Sequence, residues 1–119
     1  MILADTSVWI EHLRHGKVGL ASLLEEGTVL IHPFISGELA CGKLKDRSLV
    51  LSHLNSLPAA KLASHTEALQ FMDRYKLWGL GLGWIDIHLF ASALLSDCRF
   101  WTLDKRLAQT ALHLGLQPV

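Results

Sequence analysis

Residues 83–107, GWIDIHLFASALLSDCRFWTLDKRL, decide how the chain folds. Ile87, Phe90, Ala91 and Leu94 recur three and four positions apart, as on one face of a helix, and Asp86 falls in that helix's first turn. A short run from Arg99 to Thr102 then reads as a strand that stops just before Asp104, and Lys105 to Leu114 reads as another helix. Helix, strand, acid and helix in this order form the repeating unit of a parallel α/β sheet, whose crossovers are helical.

The remaining sequence follows the same alternation. Ile2 to Ala4 is a buried strand ending at Asp5, and Thr6 or Ser7 can cap a helix through Trp9, Ile10 and Leu13 that Gly16 terminates. A helix over Val18 to Glu25 is broken by Gly27, and Thr28 to His32 supplies a second strand. Pro33 opens a helix through Ile35, Leu39 and Ala40 in which Glu38 is the one acid among apolar neighbours. Further helices are expected over Asp46 to Leu54 and Thr66 to Leu77, with weak strands at Ala60 to Ala63 and Leu116 to Val119. No repeat, linker or low-complexity tract divides the chain, so residues 1–119 are read as a single domain.

Composition narrows the class. Hydrophobic residues make up 50% and charged residues 18%, below the charged share of about 25% typical of globular domains, which leaves apolar surface available for a protein partner. No apolar run reaches the roughly 20 residues that cross a bilayer, and the start MILADTSVW lacks signal-peptide features; a cytoplasmic protein without membrane contact is expected. Cys41 and Cys98 have no metal-ligand spacing, sit in or beside apolar stretches and are read as buried free thiols. Eleven basic residues balance eleven acidic ones, so net charge neither suggests nor excludes nucleic acid; Lys43, Lys45, Arg47 and the pair Lys105, Arg106 are local clusters able to touch phosphates or simply to face solvent.

The chemistry resides in four acids. Asp5 and Asp104 follow the carboxyl ends of predicted strands, where open parallel sheets place their ligand crevice, while Glu38 and Asp86 lie near helix starts. Carboxylates packed together raise one another's pKa and oppose folding unless a cation offsets them. Hard divalent ions prefer oxygen ligands, so magnesium, or manganese in its place, suits such a cluster better than zinc. Each acid also has a structural explanation on its own, as a helix cap or a surface charge.

ILADTSVWIEHL, the isolated Glu38 in PFISGELACGKL, GLGWIDIHLFASALL and FWTLDKRL together resemble the PIN-domain toxins of the VapC type. The resemblance runs in order along nearly the whole chain, and the pairing of GWIDIHLFASALL with WTLDKRL is its most distinctive part. It implies a PIN-like three-layer α/β/α fold with a short central parallel sheet of four to five strands and about seven helices. It also implies that Asp5, Glu38, Asp86 and Asp104 form a magnesium site supported by Thr6, Ser7 or Thr102. The activity it implies is RNA cleavage that arrests translation, with a paired VapB-type antitoxin and a homodimer of toxin subunits. Trp9, Leu13, Leu20, Leu23 and Leu24 are candidates for an antitoxin groove, or else core.

Other features point elsewhere less well. Gly79, Gly81 and Gly83 follow a predicted helix instead of a strand, which removes the mechanical basis of a nucleotide-binding fingerprint. His12 and His15 stand one turn apart, and His88 points away from Asp86 on its helix, so a histidine metal centre is not expected. A phosphate-accepting receiver domain would need paired acids after the first strand, where Thr6 and Ser7 stand. A DNA nuclease using the same acids and a noncatalytic PIN-like binding module remain as alternatives, because fold does not separate them.

Overall fold

Three parallel strands form the centre of the computed structural model, which describes all 119 residues: β1 (Ile2–Ala4), β2 (Val29–Leu30) and β3 (Arg99–Trp101), in the order β2-β1-β3. All residues of β1 are buried, and because successive strand side chains point to opposite faces, both faces of the sheet are covered. Helices α1 (Thr6–His15), α2 (Leu20–Glu25), α3 (Pro33–Cys41) and α4 (Arg47–Ser56) pack on one another, with α1 also against β1. Helices α5 (His65–Arg74) and α6 (Trp84–Leu95) pair, and α6 also lies on β3. With α7 (Lys105–His113) the helices number seven, as expected of a three-layer α/β/α fold. No helix is long and apolar enough to cross a membrane.

The sheet has three strands where four to five were expected. Both missing strands survive as single contacts at the edges. Ile31 N donates to Pro58 O and Ala60 N to Ile31 O, an isolated bridge beside β2. On the far side Phe100 N donates to Gln117 O, and the Arg99 guanidinium reaches Pro118 O. Pro33 has no N–H to donate to Ala60 O, and α3 begins there, so the ladder beside β2 goes no further.

Helix α6 anchors the core. Ile87 through Ala93 are all buried, the mark of a helix enclosed on every side. The Phe90 ring meets Phe100 of β3 at 5.0 Å between centroids, locking helix to sheet. The chain passes from β1 to β2 on one side and later returns to β3 on the other, so the order reverses between β1 and β3. Parallel sheets bind ligands at the carboxyl ends of the strands flanking such a reversal. Asp5 follows β1 directly, and Asp104 opens the turn from β3 into α7.

Candidate active site

Asp5 caps α1, and its Oδ1 accepts from Ser7 N at 3.0 Å, Val8 N at 3.3 Å and the Ser7 hydroxyl at 2.5 Å. Ser7 does more than cap. The same Oγ accepts from Leu103 N at 3.0 Å and lies 3.5 Å from Thr102 Oγ1, so one hydroxyl ties the β1–α1 turn to the β3–α7 turn. Asp5 N donates to Trp101 O, a second tie between the two. Thr102 Oγ1 accepts from Asp104 N at 3.1 Å, and Asp104 Oδ1 caps α7 through Arg106 N and Leu107 N.

Glu38 joins from α3. That helix starts at His32, whose Nδ1 accepts from Phe34 N, and Pro33 at its first position fixes the entry. Nδ1 as an acceptor places the proton on Nε2. Burial first, then the proximity of His88, lowers the His32 pKa to about 4, so the ring stays neutral. One turn along, Glu38 Oε1 accepts from the Thr6 hydroxyl at 2.7 Å, beside Asp5.

Asp86 is held apart from these bonds. It stands in the first turn of α6, and its Oδ2 accepts from Gly83 N at 2.9 Å. No hydrogen bond links it to the other three acids, but the loop before α6 lies against the start of α7: a Cβ at Gly81 would run into the Arg106 guanidinium. Neither that contact nor the role of His32 as a cap carries a sequence signal.

The four acids share one property. The close hydrogen bonds that each accepts fall on a single oxygen: Oδ1 of Asp5 and Asp104, Oδ2 of Asp86, Oε1 of Glu38. Each therefore keeps its other oxygen for something outside the protein. No three acidic, histidine or cysteine side chains stand close enough to make a ready-formed cage. Magnesium needs none, since it binds through one or two carboxylates and retains water, so an open, oxygen-only donor set fits it.

Asp5 is 5% exposed, and burial raises its pKa above the ordinary 3.8 although the Ser7 and Thr102 hydroxyls and two backbone N–H groups pull it down. A raised carboxyl pKa means that the folded protein binds the proton more tightly than the unfolded chain. Stability from this group is therefore highest below 3.8 and falls as pH rises through the elevated folded value. In chelator, Asp5→Asn keeps an oxygen for the cap and removes the buried charge. Its melting temperature is expected to exceed wild type at neutral pH and to lose the advantage in acid; a lower neutral melting temperature would contradict this.

Comparison with known proteins identifies the family. The PIN domain family model matches residues 2–112. Ribonuclease VapC32 of Mycobacterium tuberculosis, in strains CDC 1551 / Oshkosh and ATCC 25618 / H37Rv, is 44% identical over 117 residues, covering 98% of this chain and 94% of that protein. The crystal structure of PAE2754 from Pyrobaculum aerophilum shares the fold with a TM-score of 0.64 at 18% identity, over 99% of this chain and 90% of its own. The chain belongs to the PIN domain family, in its VapC branch.

Proposed function

We propose that this protein is a magnesium-dependent endoribonuclease, the toxin of a VapBC-type pair, which hydrolyses RNA phosphodiester bonds and so inhibits translation. The supporting observation is that Asp5, Glu38, Asp86 and Asp104 each spend one oxygen on the fold and keep one. The name of the ribonuclease at 44% identity supports RNA as substrate. A homodimer belongs to the same reading.

Asp5 and Asp86 would hold the ion, with Glu38 and Asp104 completing the set directly or through water; manganese can substitute. When bound, such an ion supplies an activated water and neutralises charge on the phosphodiester oxygens. The chain's own part is orientation. Ser7 fixes the Asp5 carboxylate, Arg106 N and Leu107 N fix that of Asp104, Thr6 fixes Glu38, and Gly83 N fixes Asp86. A general-base role for a free carboxylate oxygen needs only that it face the attacking water.

The antitoxin is proposed to cover a cavity of about 240 Å³ between α1, α2 and α4, lined by Trp9, His12, Leu13, Leu24, Val50 and Leu57 among others. Trp9 Nε1 and His12 Nδ1 are buried there without partners. Unsatisfied buried groups cost about 1–3 kcal/mol each, so an apolar helix bringing a side-chain acceptor gains twice, from burial and from pairing. Of the groove candidates, Leu20 and most of Trp9 are instead buried core, and Leu13, Leu23 and Leu24 are partly buried against that core.

Purified protein is expected to cut labelled RNA with magnesium and to stop in chelator. Asp86→Asn should remain folded yet lose more activity than the roughly 10–100-fold typical of second-sphere changes. Cleavage of DNA alone would point to the nuclease alternative, and cleavage of neither to a binding module. Val50→Asp is expected to lose coexpressed antitoxin while cutting RNA normally; an unchanged complex would remove this cavity from the interface.

A further inference from the structure

A second cleft, of about 360 Å³, opens between α1 and the turn after α3, and its wall includes Arg14, Glu38, Lys43 and Lys45. Glu38, held by Thr6 beside Asp5, is its only acid. Arg14 comes from α1 and Lys43 and Lys45 from the turn after α3, all exposed and none paired, since the protein's one ion pair is His15 with Glu11. Arg47, the third member of the basic cluster in sequence, behaves differently: its guanidinium donates to Ala40 O at 3.0 and 3.3 Å and closes the carboxyl end of α3. Structure thus divides the cluster and adds Arg14 from another helix.

Three unpaired cations around one cavity, in a chain of zero net charge, make a local positive field rather than a general one. We propose that this cleft carries the backbone of single-stranded RNA into the acidic rim, with Arg14, Lys43 and Lys45 on successive phosphates and the strand entering the rim at Glu38. The proposal rests on the ribonuclease reading and gives it a substrate path. Ile10, Leu13, Leu39 and Leu44 supply apolar wall for sugar and base faces. An acidic peptide would also satisfy the cations; only a polynucleotide brings to Glu38 the phosphodiester that the ribonuclease reading requires.

The test is fluorescence anisotropy in chelator, using labelled single-stranded RNA of mixed sequence over a series of salt concentrations. Each phosphate contact in single-stranded binding contributes about 0.7 to the slope of log affinity against log salt, so Lys43→Ala/Lys45→Ala should lower the slope by about 1.4. Both side chains bond to nothing in the protein, and the variant should fold normally. Lys61→Ala, exposed and away from the cleft, should leave the slope unchanged. With magnesium, KM should rise in the double variant by a larger factor than kcat falls. If the double variant keeps the wild-type slope and affinity while wild type cuts RNA and Asp5→Asn does not, the track is wrong and the ribonuclease reading stands. If it loses only polyglutamate binding, the cleft serves an acidic protein and the proposal fails. If wild type neither binds nor cuts RNA, both fall.

Discussion

One hydroxyl holds the two halves of the rim in register. Ser7 Oγ donates to Asp5 and accepts from Leu103 N, joining residues that lie 96 positions apart in the chain. The β-sheet brings β1 beside β3, but with only three residues in each strand the ladder alone leaves the following turns loosely specified. The Ser7 bridge, with Asp5 N on Trp101 O and Asp104 N on Thr102 Oγ1, extends the pairing past the strand ends to the acids themselves.

Three of the four acids also serve the fold. Side-chain caps contribute about 0.5–2 kcal/mol each, a sizeable share of a total stability of about 5–15 kcal/mol. Asp5 and Asp104 cap α1 and α7 through one oxygen each, and Asp86 reaches back to Gly83 N through one of its own. The fold therefore immobilises these carboxylates through one oxygen each and leaves the other without a protein partner. The electrostatic strain is concentrated at Asp5, the buried member, whereas Glu38 and Asp104 remain exposed to water.

Much of this was legible because the acids sit where periodicity changes. Asp5 after ILA, Asp104 after RFW and Asp86 at the head of a strongly apolar helix follow from pattern alone, and Glu38 stands out as the lone acid of its helix. What stayed hidden depends on contacts with no local signature. Thr6 finds Glu38 across 32 positions, and Arg47 turns back to a backbone carbonyl. The Ala60 edge strand ends opposite Pro33, where α3 begins. Helix α2 starts at Leu20, later than Val18, because Gly19 takes a φ of 89° that a helix does not allow. Leu20, read as possible partner surface, is core because amphipathic spacing cannot tell an inner face from a docking face.

Whether the four acids act as one site is tested most directly by NMR with manganese, whose unpaired electrons broaden nearby amide signals. Substoichiometric manganese should broaden Ser7, Gly83, Leu103 and Arg106 first and together, while signals near Glu25, Glu26 and Asp73 stay sharp. Broadening centred on those other acids, or on Gly83 without Ser7 and Leu103, would show that the carboxylates do not share an ion.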